Sequence, residues 1–119
     1  MLPKNYRLKK RSAFNATYKT GTVFHKGGIT LFCGKINNNN TVTKIGFVVS
    51  KKVHKRAVKR NRLKRLMRES VRIYIKSNGE NLNTKFLSLI FTGSYCLLDK
   101  DFKYINNNII KLMELVKND

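Results

Sequence analysis

Residues Lys51 to Arg68 read KKVHKRAVKRNRLKRLMR, with ten Lys or Arg in eighteen positions and no Asp or Glu. Apolar side chains recur through and beyond this segment, mostly three or four residues apart, at Leu63, Leu66, Met67, Val71 and Tyr74. That spacing predicts a helix with one buried stripe, from about Val58 to Lys76 and ended by Asn78-Gly79. A neighbouring face of the helix then carries Asn61, Lys64, Arg65, Arg68 and Arg72. One helix is therefore predicted to pack on a core and to present cations to a partner.

The charge of the chain is unevenly distributed. There are 26 Lys and Arg against 6 Asp and Glu, which makes the formal charge +20. All six acids lie after Arg68, so the first 68 residues carry 19 cations and no carboxylate. A compact domain with this much like charge repels itself, which indicates a polyanionic partner and predicts partial unfolding in low-anion buffer. Nucleic acid and anionic lipid are the candidate partners.

Membrane, export and metal sites are not expected. No apolar run approaches the roughly 20 residues that span a bilayer, and no apolar stretch follows the basic N-terminal residues as it would in a signal peptide. We therefore expect a cytoplasmic protein with no membrane partner. Cys33 and Cys96 stand 63 residues apart, which fits neither a redox pair nor a zinc knuckle, and they are interpreted as two buried thiols. His25 and His54 do not complete a set of metal ligands with them.

The N-terminal half of the chain predicts a helix followed by strands. Ser12 is placed to cap a short helix that ends near Gly21. Alternating patterns predict strands over residues 29–33 and 45–49, with apolar residues on both faces as in an internal strand. The asparagine run 37–40 between them is interpreted as a hairpin loop.

The C-terminal half predicts one more strand and one more helix. The run FLSLIF at residues 86–91 is typical of a buried strand. Asp99 or Asp101 is placed to cap a final helix, whose apolar stripe is Phe102, Ile105, Ile109, Leu112, Met113 and Val116. The chain is thus predicted to be one α+β domain over residues 1–119, in which helices pack on a small sheet.

The residue types favour binding over catalysis by the protein. A nuclease would need carboxylates grouped to hold metals, or a histidine pair, and the acids here are few and scattered. Gly27-Gly28 indicates a turn rather than a phosphate loop, and Ser50 before two lysines is interpreted as structural. Two alternatives stay open: a ribosomal or other structural RNA-binding protein, and a metal-dependent nuclease that acts alone through Asp99 or Asp101.

Three segments together resemble the protein subunit of bacterial ribonuclease P. They are Ile45–Ser50 with the following Lys51-Lys52, then Ala57–Glu69, and the opening residues Leu8-Lys9-Lys10, Phe14, Tyr18-Lys19 and Gly21. The resemblance extends from residue 6 to about 117. It implies a small α/β sandwich in the order αβββαβα, similar to a domain of a ribosomal small-subunit protein. It also implies a left-handed βαβ crossover, against the usual rule of handedness.

The resemblance also implies a partner and a role. The partner is a large catalytic RNA, with one protein per RNA, and the holoenzyme removes the 5′ leader of precursor tRNA. The RNA and its bound Mg²⁺ perform the hydrolysis, so the protein supplies neither catalytic side chains nor a metal site. The protein is expected to bind the catalytic RNA and the single-stranded leader, and to improve substrate binding and cleavage at physiological Mg²⁺.

Site residues follow from the resemblance position by position. The expected RNA contacts are Lys51, Lys52, Lys59, Arg60, Asn61, Arg62, Lys64, Arg65 and Arg68. The expected leader-binding cleft is lined by Phe14, Tyr18 and Phe32. The spacing of Phe14 and Tyr18 alone would favour packing in the core, because aromatic pairs four residues apart usually turn inward. The family often has Tyr where this chain has Phe32, so a hydroxyl contact would be lost there while stacking is kept.

Overall fold

The fold is that of a computed structural model, which describes residues 6–37, 42–77 and 84–117. Its elements are α1 (Arg11–Lys19), β1 (Thr22–Lys26), β2 (Ile29–Cys33), β3 (Lys44–Val48), α2 (Ala57–Ser77), β4 (Ser88–Gly93), a 3₁₀ turn (Tyr95–Leu97) and α3 (Phe102–Val116). This order confirms the αβββαβα arrangement. The predicted helix end at Asn78-Gly79 lies outside the described residues.

The sheet has the strand order β1-β2-β4-β3, which corrects the predicted hairpin. Strand β4 is antiparallel to β2 and parallel to β3, so it occupies the place beside β2 that the hairpin prediction assigned to β3. Parallel neighbours need a crossover connection, and α2 provides it. Of the predicted loop, Asn37 is buried and residues 38–40 lie outside the described part of the chain. The handedness of the crossover stays a prediction.

Strand β3 is an edge strand, although its apolar residues on both faces indicated an internal one. Its outer edge is covered by the N-terminal segment: Arg7 forms a bridge with Ile45, and the Leu8 N–H donates to the Ile45 carbonyl at 2.9 Å. Tyr6 is buried in the core just before this bridge. Within β3, Ile45 and Gly46 are buried and Phe47 and Val48 half-buried, so the apolar composition of the strand does not require an internal position.

Strand β1 was not located from the sequence, although a signal for it exists. Gly27 and Gly28 form the turn to β2 with φ values of 55° and 92°. Positive φ at both central residues is the geometry of the tight turn that matches the twist of a two-stranded hairpin. Gly-Gly after the Thr-Val-Phe run at residues 22–24 therefore marks β1 as the first arm of a hairpin.

The main core lies between one face of the sheet and helices α2 and α3. The α2 stripe is buried at Leu63, Met67, Val71 and Tyr74, with Ser70 and Ile75 beside it and Leu66 half-buried. The α3 stripe is buried from Ile105 to Val116, and Phe102 is half-buried. Leu63 packs so closely on β4 that a Cβ at Gly93 would lie 2.7 Å from its Cδ2. Burying each such side chain contributes about 1.5–3 kcal/mol.

Polar details confirm one predicted helix cap and correct two other expectations. The Asp101 carboxylate accepts the Tyr104 N–H at 3.0 Å and caps α3. Ser12 does not cap α1, because the helix already begins at Arg11 after Lys10, which makes no side-chain cap bond. Cys33 is buried as expected, but Cys96 is exposed on the 3₁₀ turn.

Candidate nucleic-acid interface

The second face of the sheet, opposite the one that packs against α2 and α3, carries a row of apolar residues and, beside it, a more polar row. Phe32, Ile90 and Gly46 lie opposite one another on β2, β4 and β3, and Thr30, Thr92 and Val48 form the next row. Because side chains alternate along a strand, both rows point away from the core that α2 and α3 cover. Helix α1 packs against this second face, while Thr30, Thr92 and Val48 stay half-exposed.

The contacts of α1 bring the three predicted aromatic residues to this face. Phe14 lies over Gly46, where an added Cβ would come within 2.6 Å of its ring carbons Cε1 and Cζ. The rings of Tyr18 and Phe32 meet edge to face, with centroids 4.9 Å apart. All three rings keep exposed surface, with Tyr18 38% exposed. Burial of part of the Tyr18 side chain raises the pKa of its phenol.

Helix α1 is fixed on the sheet by a polar contact as well. The buried Thr17 hydroxyl lies 2.6 Å from the Ser88 hydroxyl and donates to the Ala13 carbonyl at 2.8 Å. Thr20 at the end of the helix bonds to the Cys33 carbonyl on β2. The Thr17–Ser88 and Thr20–Cys33 bonds fix the distance between the helix and the strands, and with it the width of the cleft.

Two cavities flank α1. One, of about 330 Å³, is lined by three cations and an apolar wall: Arg7, Leu8, Lys9, Phe14, Ile45, Gly46, Phe47 and Arg68. The other, of about 370 Å³, includes Lys35 and Lys44 among its lining residues. In the first cavity the aromatic wall of α1 and a cation of α2 face the same space. That cavity therefore joins the aromatic surface to the basic helix.

The cations of α2 divide into those open to solvent and those bound within the protein. Asn61 and Arg65 are exposed, and Lys64 and Arg68 are half-buried, on the flank next to the buried stripe. Arg72 was predicted to share this flank, but its guanidinium holds both Glu69 carboxylate oxygens at 2.6 and 3.1 Å. This pair lowers the pKa of Glu69 and neutralises the surface beyond Arg68.

The two arginines around Asn61 have backbone partners. Arg60 Nη1 donates to the carbonyls of His54 and Lys55 at 2.8 and 2.9 Å. Arg62 reaches the other way, to the carbonyls of Leu98 and Lys100, each at 3.4 Å. Lys59 on the same helix turn is exposed. The basic motif therefore does not present all its cations in one direction.

The segment before α2 carries further exposed cations. Lys51 and Lys52 follow β3 in a turn, where the Lys52 N–H donates to Ser50 Oγ and the Val53 N–H to the Ser50 carbonyl, both at 3.0 Å. Ser50 therefore shapes this turn, as the sequence indicated. We refer to residues 50–56 as the basic loop.

The described residues contain no group of three or more His, Cys, Asp or Glu side chains that could hold a metal ion. Asp101, one of the two carboxylates available to a stand-alone nuclease, serves as the cap of α3. No helix within the described ranges is both long and apolar enough to cross a membrane.

Comparison with known proteins identifies the family of the chain. The family model described as Ribonuclease P matches residues 2–117. The chain belongs to the ribonuclease P protein component family. It is 33% identical to the ribonuclease P protein component of Clostridium novyi over 113 residues, which are 95% of each chain, and 36% identical to that of Clostridium kluyveri over 92% of each.

Solved structures agree with this assignment. The RNase P protein of Staphylococcus aureus superposes with a TM-score of 0.74 and 27% identity, over 97% of this chain and 100% of the other. The RNase P protein of Thermotoga maritima has the same fold, with a TM-score of 0.73 and 22% identity over 94% and 98% of the two chains. As a member of the family, the protein is a component of a ribonucleoprotein endoribonuclease and works with its RNA subunit in tRNA 5′ leader processing.

Proposed function

We propose that the protein binds the ribonuclease P RNA and precursor tRNA through two adjoining surfaces. The first is the basic surface formed by the basic loop and the open flank of α2. The second is the aromatic face formed by α1 and the sheet, where the single-stranded leader lies. The observation that carries this proposal is the cavity in which Phe14 and Arg68 face the same space, together with Arg7 and Lys9. A leader strand on the aromatic face would there meet cations of α2.

The basic surface supplies affinity for phosphate. Its phosphate-facing members are Lys51, Lys52, Lys59, Asn61, Lys64, Arg65 and Arg68. Arg60 and Arg62 were expected as RNA contacts too, but their guanidinium groups bond backbone carbonyls beside this surface. Each neutralised phosphate releases counterions, so about 6–10 such contacts would make affinity fall about a thousandfold or more between 50 and 200 mM salt. Asn61 is exposed among them and can donate and accept hydrogen bonds.

The aromatic face suits unpaired nucleotides. Bases stack on aromatic side chains with about 1–3 kcal/mol per base, whatever their sequence. Phe32 has no hydroxyl, but the neighbouring Tyr18, whose ring meets that of Phe32 edge to face, supplies a phenol to the same cleft. We therefore assign leader binding to Phe14, Tyr18 and Phe32.

We assign the Mg²⁺ of the reaction to the RNA subunit. Magnesium prefers oxygen ligands such as carboxylates and phosphates, whereas the groups around the proposed surface are ammonium, guanidinium and aromatic side chains. Such a surface lowers the repulsion between RNA phosphates and so assists cleavage at physiological Mg²⁺. One protein per RNA, acting in the cytoplasm, completes the proposal.

The decisive experiment is single-turnover cleavage of a precursor tRNA at low Mg²⁺ by the catalytic RNA alone, the protein alone and both together. Cleavage is expected only with both. The double variant Arg65→Gln/Arg68→Gln should weaken it, whereas Lys103→Gln/Lys111→Gln, which removes the same charge from exposed positions on α3, should not. Tyr18→Ala should reduce affinity for precursor tRNA and leave affinity for mature tRNA unchanged.

Other outcomes would favour the alternatives. If the protein adds nothing to the RNA, a structural RNA-binding role takes precedence, and copurification of ribosomal subunits rather than one RNA of a few hundred nucleotides would support it. Cleavage by the protein alone, lost on replacing Asp99 or Asp101, would indicate a nuclease that acts without RNA.

A further inference from the structure

The basic loop presents four cations from a short connection between β3 and α2. Lys51, Lys52, Lys55 and Arg56 are all exposed within residues 50–56. Such a loop binds RNA tightly only if its backbone is already ordered in the free protein, because ordering a loop and its long side chains on binding lowers the affinity. What holds the loop in the free protein therefore matters for binding.

Two side chains from the loop and from α2 hold its backbone. His54 Nδ1 accepts the Arg56 N–H at 3.0 Å. Arg60, one turn into α2, reaches back and bonds the carbonyls of His54 and Lys55 with a single nitrogen. His54 is thus held on both sides, through its ring and through its carbonyl.

We propose that His54 and Arg60 are positioning residues for the basic loop. They hold the backbone of residues 54–56 so that the cations of the loop meet RNA phosphates as a fixed array. This inference rests on the proposed function, since it assumes that the loop binds RNA. It also separates the roles within the basic motif. Arg60 acts on RNA through the loop, whereas Arg65, whose side chain makes no hydrogen bond or ion pair among the described residues, acts by its own contact.

His54 offers the cleanest test, because its bond to Arg56 involves no charge. The Nδ1 atom accepts, so the neutral ring carries its proton on Nε2. An asparagine side-chain oxygen can accept the N–H of the residue two positions on, as in an Asx turn. His54→Asn therefore keeps an acceptor for the Arg56 N–H, and His54→Ala removes it.

The first measurement is the affinity of these variants for the catalytic RNA at pH 8 and fixed salt. His54→Ala should weaken binding about 3- to 10-fold, the effect of losing about one hydrogen bond, and His54→Asn should recover most of that loss. Equal affinity of His54→Ala and the unaltered protein would overturn the inference, because the ring would then contribute nothing.

The second measurement is a mutant cycle between Arg60 and the loop cations. Arg60→Gln should weaken RNA binding in the unaltered protein but by less than about 2-fold when Lys51, Lys52, Lys55 and Arg56 are already glutamine. Arg65→Gln is the matched control, and its effect should be the same in both backgrounds. An undiminished effect of Arg60→Gln in the altered background would show a direct contact and refute the positioning role.

Hydrogen exchange in the free protein tests the same idea without RNA. The amides of Lys52, Val53 and Arg56 are hydrogen-bonded within the loop. Arg60→Gln and His54→Ala should accelerate exchange of the Arg56 amide while the melting temperature stays within a few degrees, and Arg65→Gln should not. Unchanged exchange would refute the inference even if RNA binding is intact. Failure of the unaltered protein to bind the catalytic RNA would instead refute the proposed function.

Discussion

Replacement of Gly46 by alanine tests how the aromatic face is built. The backbone of Gly46 does not need a positive φ, and an added Cβ would lie 2.6 Å from Phe14 Cε1 and Cζ. Carbon atoms normally approach to about 3.5–4.0 Å, so the ring, and α1 with it, has to retreat by about 1 Å. Overpacking of this kind costs about 1–3 kcal/mol. The smaller backbone entropy of alanine in the unfolded chain offsets about 0.4–1 kcal/mol of it.

Urea unfolding in a buffer of fixed sulfate concentration measures this cost, and a second substitution identifies its origin. In a Phe14→Ala background the ring is gone, so Gly46→Ala should cost nothing or stabilise slightly, which gives a coupling of about 1–3 kcal/mol between the two positions. Gly21→Ala is the control: a Cβ there meets no atom within 4 Å, but φ is +77°, so backbone strain of about 1 kcal/mol should be independent of Phe14. Equal destabilisation by Gly46→Ala in both backgrounds would refute the packing argument.

Two further predictions concern stability. Burial raises the pKa of Tyr74 to about 12, assisted by Glu114. The folded protein therefore keeps a proton that the unfolded chain releases near pH 10, so the free energy of unfolding should fall by about 1–2 kcal/mol between pH 10 and 12 after screening. Urea unfolding of Tyr74→Phe over the same pH range should show a smaller fall. Asp101→Ala should lower the free energy of unfolding by about 0.5–2 kcal/mol in the same assay, because the cap of α3 is lost. Asp99→Ala is the control and should change it by less than about 0.5 kcal/mol. Equal losses from the two substitutions would contradict the role of Asp101 as a cap.

Local periodicity was sufficient to predict the helices and most strands. The stripe from Leu63 to Tyr74 was readable because a helix repeats its buried face within a few residues. Strand pairing could not be predicted in this way, because β3 and β4 pair through residues about 44 positions apart in the sequence, such as Ile45 and Leu89. The apolar residues of β3 indicate that the strand is largely covered, but not which strand, helix or terminal segment lies beside it.

In the candidate site too, some features could be predicted from the sequence and others could not. Charge and the family resemblance predicted the residues of the basic helix as RNA contacts, which stays a prediction. The structure places Phe14, Tyr18 and Phe32 on one face of the sheet although the spacing of Phe14 and Tyr18 favoured the core. The partners of Arg60 and Arg62 were beyond prediction, because a guanidinium can bond any nearby carbonyl and the partners of Arg62 lie 36 and 38 residues away. The ion pair between Arg72 and Glu69, which lie three residues apart on the same helix, could have been predicted from the sequence but was not.

The strand order also determines when the sheet can form during synthesis. Strand β4 lies between β2 and β3 but is the last of the four to leave the ribosome. Until residues 88–93 have emerged, β2 can pair only with β1, and β3 has no neighbouring strand of the sheet. The basic helix is made in that interval, before β4 and α3, against which its apolar stripe packs. Contacts so distant in sequence slow folding, so the sheet and its helices are expected to assemble together, after synthesis has passed Val116 at the end of α3.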